Sequence, residues 1–229
     1  MRLVFLTFFL FAFLHFTASG EETNWTEKKL GKVIVKADKA ARKQRWPRAI
    51  KYGEQMLLGS AALDQKNDAR YINLLKNLNQ YYDQAKRLGT VALRVKEAYI
   101  LSKEYLSSNH ETTRISRNLY YKYLVSQKSY STALPLVLEN ISLMGKTRDE
   151  EIKKLHYLKQ LYSLYRLTGQ LEKEEKALLH FLKLDKRIFE SSDNDNIKII
   201  INLANNYCQQ KKFDEFNTLM KTYNLKYEC

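Results

Sequence analysis

The sequence predicts an all-α fold, an array of about five antiparallel helix pairs stacked along one axis. Three observations carry that expectation. Glycine and proline are scarce, 7 and 2 in 229 residues, too few for a sandwich or barrel that needs turn residues every ~8–12 positions. Hydrophobic residues make up 45% and charged residues 28%, which supports a packed core and excludes a membrane-embedded body. Finally, one large apolar residue recurs after a short polar break, at Trp46, Leu88, Tyr130, Leu171 and Phe213, with spacings of 42, 42, 41 and 42. An interval held over the whole chain is the mark of a structural repeat.

A separate segment precedes the repeats. Met1-Arg2 gives a positive start, Leu3 to Leu14 is apolar except for Thr7, and Ala18-Ser19-Gly20 supplies small residues. These are the parts of a secretory signal peptide, whose apolar run is ~7–15 residues; a membrane-spanning helix needs ~20. Residues 1–20 are therefore expected to be a signal peptide, with an uncleaved anchor as the alternative. Residues 21–229 form the folded domain, and the protein is expected to be exported, periplasmic or secreted. The formal charge of +14 would suggest nucleic acid in a cytosolic protein. Export turns the expectation to acidic protein surfaces, anionic lipid or acidic polymers, and away from nucleic acid.

The columns around each marker justify the helices in turn. Six residues before stand Ala40, Tyr82, Leu124, Tyr165 and Tyr207, and ten before stand Lys36, Leu78, Tyr120, Leu161 and Leu203. Thirteen before stand Val33, Leu75, Arg117, Leu158 and Ile200. Three after stand Ala49, Val91, Ala133, Glu174 and Phe216, and seven after stand Gly53, Val95, Val137, Leu178 and Met220. Offsets of three, four and seven place each set on one helix face. Glu174 breaks the pattern in the fourth repeat. The repeats are expected near 26–60, 68–107, 113–145, 149–187 and 195–223. Their connections, Gly59 to Asp68, Ser107 to Thr113, Gly145 to Asp149 and Ser191 to Asp195, gather Gly, Ser, Asn and Asp, residues that cap helices. Ser192 or Asp195 is the expected N-cap of the helix from Ile197 to Tyr207.

A small or aromatic residue ending the first helix, a polar turn, a large apolar residue and an alanine three further on resemble tetratricopeptide repeats, and Trp46-x-x-Ala49 and Tyr130-x-x-Ala133 carry the pattern best. The resemblance covers Asn24 to Tyr223 and implies a right-handed α-solenoid. The interval of about 42 exceeds the usual ~34, so the helices should be longer. The resemblance also implies an inner groove lined by residues twelve, eight and five before each marker. Those positions hold Lys76, Gln80 and Asp83, then Asn118, Lys122 and Val125, then Lys159, Ser163 and Arg166, then Ile201, Asn205 and Cys208. Lys76, Gln80, Asn118, Lys122, Lys159, Arg166 and Asn205 thus make a basic, amide-rich strip suited to an acidic protein or peptide partner.

No catalytic constellation is present. His110, His156 and His180 stand apart, without a second ligand at metal spacing, and no phosphate loop, nucleophile elbow or cofactor motif occurs. The chain is read as a non-enzyme without metal or cofactor. Asn24-Trp25-Thr26 and Asn140-Ile141-Ser142 match the glycosylation sequon, the second on a helix. Cys208 and Cys229 raise the question of a disulfide. A return helix ending near residue 223 leaves about 16 Å to Cys208, and the tail covers that only when fully extended. Geometry does not favour the bond, and a Cys229-linked dimer is the rarer alternative. The expected function is an exported scaffold or adaptor holding a partner in its groove, in envelope assembly or a surface machine; the alternative is a basic peripheral protein on anionic lipid or acidic polymer.

Overall fold

A computed structural model of the protein describes residues 24–189 and 196–229. The expected signal peptide and the caps Ser192 and Asp195 lie outside the described residues. Among the described residues ten α-helices follow one another: α1 (Glu27–Arg42), α2 (Trp46–Leu63), α3 (Ala69–Gln84), α4 (Ala92–Leu106), α5 (Glu111–Ser126), α6 (Tyr130–Ser142), α7 (Arg148–Leu167), α8 (Leu171–Phe189), α9 (Ile197–Gln209) and α10 (Phe213–Thr222). A 3₁₀ turn, Leu88–Val91, leads into α4. Each helix packs on the next, giving five hairpins. Each interval between markers holds a second helix and the next first helix, as with the 18 residues of α2 and the 16 of α3 between Trp46 and Leu88.

Every hairpin turns in the same way. The residue two before each marker has a left-handed backbone: Gln44 (φ 54), Lys86 (φ 58), Lys128 (φ 56), Gly169 (φ 69) and Lys211 (φ 59). The next N–H, from Arg45, Arg87, Ser129, Gln170 or Lys212, donates at 2.8–2.9 Å to the carbonyl of Ala40, Tyr82, Leu124, Tyr165 or Tyr207. This is a Schellman closure, which satisfies orphan carbonyls at the helix end. It ends the first helix and starts the second at the marker, or at the 3₁₀ turn after Leu88. Four of the five left-handed residues carry a side chain, at a steric cost of about 1–2 kcal/mol each.

The columns predicted from periodicity form the core. All five residues six before the marker are buried, as are all five residues thirteen before it. The markers themselves are less uniform, and Phe213 is 54% exposed. Two polar violations are buried too: Arg117 and Glu174 are each 1% exposed. Helix entries use side-chain caps where the sequence offers them. The Thr26 hydroxyl accepts from the Lys29 N–H, the His110 ring from the Thr112 N–H, and Thr147 with Glu150 completes a capping box.

Some expectations need correction. Gly59 is not a linker residue but lies inside α2, where a Cβ would come within 2.5 Å of the Trp25 indole; the ring occupies that space. Asn140 of the second sequon is buried and bonded to Arg117 and Asn118, so glycosylation there is incompatible with the fold. Asn196 stands at the N-cap position of α9, without a side-chain cap bond.

The turns make a direct prediction. Lys128→Gly should raise stability by about 0.5–1 kcal/mol, the relief of left-handed strain less the added freedom of the unfolded chain. Gly169→Ala should lower it by a similar amount, and no neighbour lies within 4 Å of the added Cβ, so the effect is conformational. Thermal melts should move by ~1–4 °C in opposite directions; equal shifts of one sign would contradict the shared turn.

Candidate functional site

The strip expected to line the groove begins on α3 and α5. Two contacts with the same sequence offset, Thr112 to Asn73 and Lys122 to Asp83, set these helices side by side and parallel. The strip is not uniformly open. Lys122 Nζ is 2.6 Å from the Asp83 carboxylate, a surface pair of about 0–1 kcal/mol. Asn118 accepts from the Asn140 amide at 3.1 Å. Lys76 is half-buried; desolvation pushes its ammonium below the usual lysine range, with the Glu111 carboxylate opposing. Gln80 is also half-buried beside it.

Arg166 belongs to the seam between hairpins. Its Nε donates to Glu174 Oε1 at 2.7 Å, and Asn206 Nδ2 donates to Glu174 Oε2 at 3.0 Å and to the Leu171 carbonyl at 2.9 Å. The carboxylate is thus satisfied from its own hairpin and from the next, which is how a glutamate occupies a core column. Arg117 is held likewise. Its guanidinium donates to Asn140 at 2.7 Å, to the Ser108 carbonyl at 2.7 Å and to Glu139 at 3.0 Å. Burial raises the Glu139 pKa, but hydrogen bonds from Tyr99 and Lys103 and the charge of Arg117 outweigh it, so the carboxyl titrates below its ordinary value. Its contribution to stability is therefore complete above the ordinary carboxylate pKa and lost as pH falls through the lowered one.

At the fifth hairpin the chain covers its own strip. Asn224 is left-handed (φ 48), and the Leu225 N–H returns to the Met220 carbonyl at 3.0 Å. The tail then runs back along the hairpin. The Tyr227 hydroxyl donates to Asn205, the Tyr227 ring lies 6.3 Å from Phe216, and Cys229 is bonded to Cys208, Cα to Cα 5.4 Å. The sharp turn at Asn224 supplies the reversal that spacing along a straight helix did not include.

What remains open is Lys159. It stands over the Phe181 ring at 5.2 Å, at the mouth of a cavity of about 470 Å³ between α7, α8 and α9. Tyr162, Phe181 and Phe189 form its walls, and Lys198 brings a second cation. Among the described residues neither lysine forms an ion pair. Asp185, also on the rim, accepts from Asn196 at 2.8 Å. The signal for Lys198 was invisible at the groove offsets, because it lies one helical turn earlier on α9. Among the described residues no group of His, Cys, Asp and Glu could hold a metal ion, and no helix is long and apolar enough to cross a membrane.

No protein-family model matches the sequence, and no curated protein matches it. Solved structures do. A Podosopora anserina crystal structure of nearly identical TPR-like repeats of kinesin light chain type superposes with a TM-score of 0.65 at 15% identity, covering 85% of this chain and 94% of that one. BtubC (BKLC) from P. vanneervenii superposes with a TM-score of 0.59 at 16% identity, covering 86% of this chain and 79% of that one. The fold is a tetratricopeptide-like solenoid. At this identity the likeness extends to the backbone path and leaves the binding residues to this chain's own geometry.

The Arg166–Glu174 pair predicts an asymmetry within that solenoid. Arg166→Ala strands a buried carboxylate and should cost about 3 kcal/mol or more. Glu174→Leu restores an apolar column, leaves a half-exposed arginine to water and keeps Asn206 on the Leu171 carbonyl, so it should cost about 1 kcal/mol or less. Urea denaturation of both variants tests this; a larger loss from Glu174→Leu would contradict the seam assignment.

Proposed function

We propose that this tetratricopeptide-like array is an exported, non-catalytic scaffold that holds an acidic segment of a partner protein on its inner face. The observation that carries the reading is the cavity at Lys159. It combines two cations that form no ion pair among the described residues with three aromatic walls, Asp185 standing on the same rim, the chemistry that takes an acidic side chain next to an aromatic or aliphatic one. The other predicted strip residues contribute less. Lys122 and Arg166 already hold carboxylates, and Asn205 is engaged by the tail. Asn118 is engaged by Asn140, so binding centres on the fourth and fifth hairpins, with Lys76 and Gln80 extending the path. Export is supported by the apolar start of the sequence and by the Cys208–Cys229 bond, since structural disulfides persist in oxidising compartments. Assembly of an envelope or surface complex is the role such an adaptor would serve.

A random peptide library selected on the protein tests this. Recovered peptides should be enriched in Asp and Glu beside aromatic residues. Lys159→Glu with Lys198→Glu should weaken them at least tenfold, because each charged hydrogen-bond donor lost is worth about 1.5–3 kcal/mol. The control, Lys96→Glu with Lys176→Glu on exposed positions of second helices, makes the same charge change and should leave binding within about twofold, the change expected of distant screened charges. Peptides without acidic residues, or equal loss from both pairs, would refute the reading.

A further inference from the structure

The first hairpin carries a charge excess that the groove does not use. Residues 24–63 contain ten basic side chains against three acidic ones, Glu27, Asp38 and Glu54, so half of the chain's net +14 lies there. The three carboxylates are all engaged at the boundary with the second hairpin. Glu27 is held by Arg70 at 2.7 Å, Asp38 accepts from the Tyr81 hydroxyl at 3.0 Å, and Glu54 from Tyr82 at 2.7 Å and Arg94 at 2.6 Å. Among the described residues none of the ten cations forms an ion pair.

Five of these cations converge. Lys36 and Lys39 on α1, Lys43 and Arg45 in the turn, and Arg48 on α2 line one concavity of about 190 Å³, with Tyr52 as its floor and no carboxylate on its wall. Lys36 also sits 5.8 Å over the Tyr52 ring. Three ordinary explanations account for part of this. Among the described residues no hairpin precedes the first, so its leading face must be polar. Lys39 and Lys43 offset the negative end of the α1 dipole. Exposed lysines also aid solubility. None of these requires a single sign, and none explains Arg45 and Arg48. Those two occupy the N-cap and first turn of α2, which has no acidic residue there, where the helix dipole disfavours cations. A local rule broken by the same sign that fills the rest of the concavity marks a place where the charge itself is used.

We propose that this concavity binds a compact anion bearing several phosphate or sulfate groups. Five cations on one small wall match a multivalent anion better than an isolated carboxylate. Arginine forks take phosphate oxygens in pairs while the lysines supply point charge. Such a group comes either on a soluble molecule or on a lipid headgroup, and the chemistry of recognition is the same. The site is separate from the Lys159 cavity and stands whether or not that cavity binds peptide.

The test uses inorganic tripolyphosphate as the soluble probe and vesicles carrying a bisphosphorylated inositol lipid as the membrane probe. Calorimetry at about 0.1 M salt, where free surface charges are largely screened, should show saturable binding of tripolyphosphate. Lys39→Gln with Arg45→Gln and Arg48→Gln should weaken it at least tenfold. All three positions are exposed, and circular dichroism should show unchanged helix; if this triple variant loses helix, Arg48→Gln alone must still weaken the probe severalfold. Lys159→Gln with Lys198→Gln must leave tripolyphosphate binding intact. Vesicle co-sedimentation that tripolyphosphate competes away assigns the source to a headgroup, and tripolyphosphate binding without co-sedimentation assigns it to a soluble anion; both support the site. Absence of tripolyphosphate binding overturns it, as does equal weakening by the Lys159/Lys198 variant, which would mean that net charge alone drives association.

Discussion

One backbone hydrogen bond organises the molecule. In each hairpin the N–H just before the marker closes on the carbonyl six residues before the marker. That bond ends one helix, reverses the chain through a left-handed residue and starts the next helix at, or one 3₁₀ turn after, the marker. The carbonyl that accepts it belongs to a residue whose side chain is buried in all five cases. Backbone closure and side-chain burial are therefore set by the same position. First helices of 20 residues in α7 and 13 in α9 share this closure, so the buried columns are counted back from the turn and not from where the helix begins.

On this common frame the hairpins differ by charge. Arg117 sits in a column otherwise held by Val33, Leu75, Leu158 and Ile200, and Glu174 in one held by Ala49, Val91, Ala133 and Phe216. A buried ion survives only with its partners in place, and both have theirs: Asn140, Glu139 and the Ser108 carbonyl for one, Arg166 and Asn206 for the other. These demands reach the inner face. Arg166 and Asn118, expected from spacing to await a ligand, are bound to seam residues, and cations without an ion pair among the described residues include Lys159, Lys198 and those of the first turn.

The fold was legible because the hydrophobic effect writes periodicity directly into sequence. Leu78, Leu161, Ala133 and Val137 could be assigned to faces by counting alone. The site was legible only as a strip. Whether Lys122 or Arg166 is free depends on which carboxylate a neighbouring helix brings up, and no spacing within one helix contains that information. Gly59 was misread for the same reason: the ring that fills the space above it comes from Trp25, more than thirty residues away. The tail was misjudged because a left-handed asparagine at 224 carries no strong sequence signal. The shared left-handed turn itself was hidden, since four of its five occupants are lysine or glutamine instead of glycine.

The pairing of Glu174 with Asn206 has a consequence for how such a chain can change its length. Repeat proteins grow and shrink by duplicating units, which works when every unit accepts every other as a neighbour. Here the fourth unit requires an amide from the unit that follows it, at a position occupied elsewhere by Lys39, Tyr81, Tyr123 and Leu164. Leu164 carries no side-chain donor for the glutamate, and the Tyr81 hydroxyl is given to Asp38. A tandem copy of the fourth unit would place a leucine there. The order of the last two units is thereby written into the interior, and the array resists expansion at that joint.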